Sequence, residues 1–235
     1  MANSPIKLSP ITARPATTTE HDGWRLAERF STVETEAAAI RTAVGLADLS
    51  AWGKILIQGR GANAAIKAAL GDCPTIVGEA IAVGAASKRV HLHGTGLLAC
   101  LTREDWYLVT PIGGEEDALE KINAAIAASG VFAHATDLTH GKGAILLAGP
   151  HAARVLPKVC ALDFHPAGFP NRHAAQSSVA KVQAIILRDD VSGLLAYQIH
   201  VSRSEADSVW GALFDAAGEF GAQPVGYSAL TGLMG

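Results

Sequence analysis

The chain is poor in the residues that mark several functional classes. It has three cysteines, Cys73, Cys100 and Cys160, an odd number set far apart and without C-x-x-C spacing. That fits reduced, mostly buried thiols of a cytoplasmic protein better than a disulfide framework or a zinc ribbon. Aromatic residues make up 6%, too few for a base-stacking surface. Charged residues make up 17%, net charge is −3 and Lys and Arg are scattered, so neither nucleic acid nor an anionic membrane surface is indicated as a partner. No apolar run reaches the ~18 residues of a membrane-spanning helix. The N-terminal stretch MANSPIKLSPITARPATTTEHDGW lacks the apolar segment of a secretory signal. What the chain does have is apolar bulk: 49% of its 235 residues are hydrophobic, enough for a sizeable core and too much for global disorder.

Residues 1–22 carry Pro5, Pro10, Pro15 and a Thr17-Thr18-Thr19 cluster, and read as an extended N-terminal arm. Two fates stand open for it, a disordered tail or an arm that wraps a partner subunit. Ordered structure is expected from Trp24. A helix is expected over 31–44, with Ser31 or Thr32 as N-cap, Glu34 or Glu36 in the first turn and Gly45 as stop. A strand follows at Lys54–Gln58, closed by Gly59, then a helix over 61–70. Residues 74–93 read as short strands broken by Gly78 and Gly84. The segments 96–101 and 106–110 read as strands joined by Arg103-Glu104-Asp105. A helix over 114–128 has acidic Glu115, Glu116 and Asp117 at its positive end and Leu119, Ile122 and Ile126 on one face.

The pattern then recurs. Asp48-Leu49-Ser50, strand, Gly59 and helix are matched by Asp137-Leu138-Thr139, the strand Ala144–Ala148, Gly149-Pro150 and the helix HAARVLPKV. Trp106-Tyr107-Leu108-Val109-Thr110 before one acidic helix is matched by Tyr197-Gln198-Ile199-His200-Val201 before another, SEADSVWGALFDAAG. The offsets are 89 residues for Asp48 to Asp137 and 91 for Trp106 to Tyr197. This spacing implies a duplicated unit of about 90 residues, too few copies for a solenoid, folded as a pseudo-twofold α+β domain over 23–235 with two intertwined halves, about 31–130 and 131–230. In such a domain the pocket is expected where the halves meet.

The stretch AAIRTAVGLADLSAWGKILIQGRGA resembles the opening of the aminomethyltransferase family, the glycine-cleavage T-protein and its relatives, through Arg41, Gly45, Leu46, Asp48, Ser50, Gly53 and Gly59. DLTHGKGAILLAGPHAARVLPKVCALD resembles the second-half strand, Gly-Pro and helix of that family, and residues 210–227 its late helix and Pro-x-Gly. The resemblance spans about 30–230. It implies the folate-binding fold of that family, itself a duplicated α+β domain, here without the additional C-terminal β-barrel domain. With its LDFHP and FP elements, the middle of the chain looks more like the gamma subunit of heterotetrameric sarcosine oxidase than like the T-protein.

The resemblance also says where chemistry would sit. The carboxylate near folate N5, carried in the family by a Gly-Gly-x-x-Asp-Asp run, falls on Gly94–Cys100, which holds no acid. A proton-transfer role needs a titratable group at that place. The folate-gripping glutamate becomes Gln198, beside Tyr197; an amide can form a two-pronged hydrogen bond but cannot act as a base. Ser-His-Met-Gly becomes Ser50-Ala51-Trp52-Gly53, where Trp52 either fills the space of a pterin or packs in the core. The arginine after Pro-x-Gly is lost in Tyr227-Ser228-Ala229-Leu230. The expected ligand-pocket residues are therefore Ser50, Trp52, Tyr197 and Gln198, with no catalytic residue. His91-x-His93 is a weak metal motif without a third ligand. Asp137 with His140 reads as an Asx turn rather than a base–orienter pair. Ser202, Ser204 and Asp207 read as a helix start. No G-x-G-x-x-G opens a helix. The implied function is a non-catalytic, sarcosine oxidase gamma-like subunit of a flavin-dependent amine-oxidising complex, with the flavin on a larger flavoprotein partner. The alternative is a tetrahydrofolate-dependent one-carbon transferase or folate-binding protein, its carboxylate supplied by Asp189 or Asp190. Those two also read as part of a hairpin turn with Gly193. A third reading is a stand-alone scaffold with an unrelated ligand.

Overall fold

The structure, a computed structural model, describes residues 5–84 and 95–234, with the side chains of Thr95 and Met234 excepted. In chain order the elements are β1 (Lys7–Leu8), β2 (Thr17–His21), β3 (Trp24–Arg29), α1 (Val33–Thr42), β4 (Gly45–Asp48), β5 (Gly53–Arg60), α2 (Ala62–Leu70), β6 (Ala80–Gly84), β7 (Thr95–Cys100), β8 (Asp105–Thr110), α3 (Glu115–Ser129), β9 (Phe132–Asp137), β10 (Lys142–Ala148), α4 (Ala152–Val155), β11 (His173–Val179), β12 (Val182–Arg188), β13 (Ala196–Ser202), α5 (Ala206–Ala217), β14 (Gln223–Val225) and α6 (Tyr227–Met234). Two compact units are distinguished: residues 1–51, 142–171 and 176–235 form the first, residues 52–141 and 172–175 the second.

The first unit holds a sheet of order β11-β12-β13-β10-β4-β14 and a small sheet β1-β3-β2; the second holds β6-β7-β8-β5-β9. Five strands of each large sheet correspond in order: β6 to β11, β7 to β12, β8 to β13, β5 to β10 and β9 to β4. The registers correspond too. Ile55 pairs with Leu108 in one unit, and Ile145 with Ile199 in the other. Both turns are built alike. In the first unit the Asp48 carboxylate accepts the Ser50 N–H (2.8 Å), and the Ser50 hydroxyl accepts the Ala144 N–H (3.2 Å). In the second, the Asp137 carboxylate accepts the Thr139 N–H (2.7 Å), and the Thr139 hydroxyl accepts the Lys54 N–H (3.0 Å). These are Asx turns whose hydroxyl closes the ladder of the neighbouring strand. Each unit also carries a glycine that a larger residue would not fit, Gly59 near the end of β5 and Gly149 just after β10. Gly59 and Gly149 have φ of 124° and 128°, and a Cβ on either would lie 2.3 or 2.5 Å from a backbone oxygen.

Local signals account for most elements. The Thr32 hydroxyl accepts the Thr35 N–H at the start of α1. Gly130 with φ of 63° ends α3. The second-half helix is shorter than expected: α4 gives way to a 3-10 turn at Leu156–Lys158, because Pro157 has no N–H to donate. Of the stretch expected as an arm, β1 and β2 lie in the small sheet, with Lys7 N–H donating to Gly23 O (2.7 Å) and Ala16 N–H to Arg29 O (2.9 Å). The β2–β3 hairpin turns on Asp22 and Gly23, both at positive φ (47° and 77°), the signature of a type I′ turn.

The core of the second unit gathers Ile55, Ile57, Leu98, Trp106 and Leu108 under Ile66 of α2 and Ile122 of α3. Cys100 belongs to it and Cys73 packs against it. Desolvation raises both thiols, Cys73 to about 12. Cys160 is buried in the first unit. Reactivity follows the thiolate, so the folded protein should react with a thiol reagent at pH 8 at least ~10-fold more slowly than the unfolded chain. One rapidly labelled equivalent in the native state would contradict this placement.

Candidate functional site

Ser50, Tyr197 and Gln198 fall in the first unit and Trp52 in the second. Tyr197 and Gln198 are consecutive on β13, so strand alternation sends them to opposite faces. Gln198 shares its face with His200; Gln198 Oε1 lies 3.3 Å from His200 Nε2. Ala144, whose N–H is held by Ser50, pairs with His200. Gln198 and His200 therefore form a polar pair on one face of the first sheet, His200 buried and Gln198 partly buried, while the buried Ser50 is held at the Ala144 backbone.

Tyr197 belongs to the other face. Its ring meets Phe164 edge-on (centroids 5.7 Å, 88°) and lies 6.1 Å from Phe169. Its hydroxyl is buried without a hydrogen-bond partner among the described residues, and desolvation raises its pKa, so it stays protonated. Trp106, the corresponding residue of the second unit, donates its indole N–H to Pro74 O (2.9 Å). Gln198 and Tyr197 thus do not face a common ligand. Trp52 is 8% exposed, and its carbonyl accepts a hydrogen bond from Lys54 Nζ (2.6 Å).

Lys54 is the residue that the sequence reading passes over. It stands at the β5 position matching Ala144, is fully buried, and alternates with Leu56 on the face opposite Ile55 and Ile57. A lysine inside an apolar strand run is a legible signal, because buried ammonium groups are rare unless paired. Tyr107, matching Gln198, is fully buried as well, with its pKa raised by desolvation. Glu115 at the start of α3 is 7% exposed.

Of the two alternative acids, Asp190 is engaged in an ion pair. Asp190 is held by the Arg188 fork, Nε to Oδ1 at 2.9 Å and Nη2 to Oδ2 at 2.8 Å. Val191 and Leu194 close the hairpin, with Ser192 and Gly193 at positive φ. On β7, Gly96 to Cys100 carry no carboxylate, and Leu97 to Cys100 are buried. His91-x-His93 and Gly94 lie outside the described residues. Among the described residues no group of three or more His, Cys, Asp or Glu is arranged to hold a metal ion, and no helix is long and apolar enough to cross a membrane.

The sequence profile of the GCVT N-terminal domain matches residues 10–234. The chain belongs to the GCVT N-terminal domain family. Among its curated relatives is an aminomethyltransferase of Saccharopolyspora erythraea, 29% identical over 218 residues, covering 91% of this chain and 58% of the relative. An aminomethyltransferase of Listeria monocytogenes is 27% identical over 223 residues, with 91% and 58% covered. The chain therefore spans a little over half the length of these relatives. Two solved structures share the fold. One is the glycine cleavage system aminomethyltransferase T of Bartonella henselae (TM-score 0.78, 19% identity, 97% of this chain and 62% of the other). The other is a chain of the heterotetrameric sarcosine oxidase of Corynebacterium sp. U-96 (TM-score 0.65, 24% identity, 82% and 94%).

Gln198 offers an amide donor and acceptor in place of a carboxylate. Tyr107 and Tyr197 remain protonated. Among the described residues of β7 no acid stands where the family's aspartate is expected.

Proposed function

We propose that this chain is a sarcosine oxidase gamma-like, non-catalytic subunit that works beside a larger flavin-bearing amine-oxidising partner in one-carbon metabolism. The observation that carries this reading is the substitution of chemistry within a retained scaffold. The duplicated turns and ladders persist, while Gln198 stands where the family resemblance puts a glutamate and the described part of β7 offers no carboxylate. Without a carboxylate at the described β7 positions, proton transfer by the route expected for the family lacks its acid. The likeness to a chain of a heterotetrameric oxidase, matched over 94% of that chain, supports an assembled role. The flavin would reside on the partner, and this chain would supply folded surface. Localisation in the cytoplasm belongs to the same reading.

The alternative, a tetrahydrofolate-dependent aminomethyltransferase-like protein, draws on the names of the curated relatives. Tetrahydrofolate would supply the nitrogen that accepts the one-carbon unit, and Gln198 would hold the pterin by hydrogen bonds. Calorimetric titration of the folded chain with 5-formyl-tetrahydrofolate separates the two. The expected result is no saturable binding tighter than about 0.1 mM. A Kd in the micromolar range, near −8 kcal/mol, lost on Gln198→Leu, would favour the folate reading.

A further inference from the structure

The second unit leaves open a sheet edge whose counterpart the first unit closes. In the first unit β14 covers the outer side of β4, with Gln223–Val225 running parallel to Gly45–Ala47. β9, the strand corresponding to β4, has β5 on one side and no strand on the other among the described residues.

This edge lacks the usual guards. Edge strands are ordinarily protected by lysine, proline or a bulge. β9 reads Phe132-Ala133-His134-Ala135-Thr136-Asp137, pairs with β5 without a break in register, and has an acid only at its end. Phe132 is 89% exposed. Phe132, His134 and Thr136 share the exposed face, while Ala133 and Ala135 pack against the core.

The ladder fixes which backbone groups face outward. Leu138 donates its N–H to Lys54 O (2.7 Å), so even-numbered residues of β9 bond to β5 and odd-numbered ones point away from it. The Ala133 N–H folds back onto Val131 O (3.0 Å). The outward donors are then those of Ala135 and Asp137, beside the carbonyls of Ala133, Ala135 and Asp137.

We propose that β9 pairs with β9 of a second copy of this chain, antiparallel about a twofold axis through Ala135. In this register the Ala135 N–H meets the partner's Ala135 O, and the Asp137 N–H meets the partner's Ala133 O, so both outward donors are used. Phe132 lies across from the partner's Leu138, and His134 across from the partner's Thr136. The neighbouring registers are poorer. An axis through Thr136 makes the two Asp137 carboxylates diagonal neighbours. An axis through His134 aims the Asp137 N–H at Val131 O, which already accepts from Ala133. The seam is short, well below the about 1,600 Å² of a standard interface, so the dimer should form with a Kd of about 10–100 µM.

Sedimentation velocity of the whole chain from about 5 µM to about 500 µM brackets that range. The expected result is a reversible monomer–dimer shift, with amide exchange at Ala135 and Asp137 slowed at the high end. Phe132→Asp should weaken the dimer at least ~10-fold by placing a charge against the partner's Leu138. Ala135→Pro should do the same, because it deletes an N–H that points away from β5 and spares the β5 ladder. Phe132→Asp, at an exposed position, decides the matter if Ala135→Pro fails to give a normal melting curve. A chain that stays monomeric over the whole range would overturn the proposal and leave the edge to a strand of another polypeptide. So would a dimer unchanged in folded Phe132→Asp, or one that leaves the Ala135 amide unprotected.

Discussion

Glu36→Ala should lower the melting temperature by about 10 °C or more. Glu36 is fully buried near the start of α1. One carboxylate oxygen accepts the N–H groups of Phe30 and Ser31 at 2.6 Å each; the other accepts the Gly226 N–H at 2.7 Å. A single side chain thus joins the end of β3 to the backbone ahead of α6, across 190 residues of sequence. The joint has no slack, since a Cβ on Gly226 would lie 2.3 Å from Glu28 O. Truncation leaves three donors without an acceptor, each costing about 1–3 kcal/mol when buried. Water entering the vacated space recovers part of that, so about 4 kcal/mol is expected. For a chain of this size each 1 kcal/mol moves the melting point by about 2–4 °C. Glu36→Gln should fall between, because its oxygen can serve Phe30 and Ser31 while its NH₂ faces the Gly226 donor. A Glu36→Ala protein within about 1 kcal/mol of wild type would show that these bonds are not made in solution.

The second large effect is expected at Arg188. It is 6% exposed and makes three hydrogen bonds, two to Asp190 and one from Nη1 to Phe169 O (2.6 Å), with the Tyr197 ring 5.8 Å from the guanidinium carbon. The hydrogen bonds to Asp190 raise its pKa further, so it is cationic at every working pH. Asp190 in turn accepts the Ala196 N–H, and its own N–H donates to Asn171 Oδ1. The pair therefore pins the Phe169–Asn171 loop to the 189–196 hairpin. Breaking one side of a buried pair costs about 3–5 kcal/mol because the other charge is stranded. Arg188→Ala should unfold at correspondingly lower denaturant concentration and be cut early by protease within residues 163–172. The double variant Arg188→Met/Asp190→Leu should recover most of the loss, since an apolar replacement removes the stranded charge. A double variant no better than Arg188→Ala would mean that the loop depends on Arg188 for something other than this ion pair.

How much of this was legible depends on distance along the chain. The duplication could be read because its marks are local. Asp48-Leu49-Ser50 and Asp137-Leu138-Thr139 build their Asx turns from residues two apart, and each recurs before a strand and a glycine. The shortened α4 was legible in Pro157 but went unread, as did Asp22-Gly23, a hairpin signal between the alternating strands β2 and β3. Other features had no local signal. Glu36 looks like any first-turn acid until Gly226 is brought to it. Arg188 ends the strand β12 and gives no hint of Phe169. The candidate residues show both cases. Gln198 was singled out through the family likeness, whereas its neighbour His200 in the first unit and, separately, the buried Lys54 in the second stand out by register and burial, which the strand pattern alone did not single out.

The subunit reading is tested most directly by purifying the tagged chain from its native cells under gentle conditions and recording the absorbance spectrum of the eluate. A co-purifying larger polypeptide with a flavin spectrum in near-stoichiometric amount is the expected result. A colourless chain, eluting alone and binding 5-formyl-tetrahydrofolate at micromolar concentration, would contradict it.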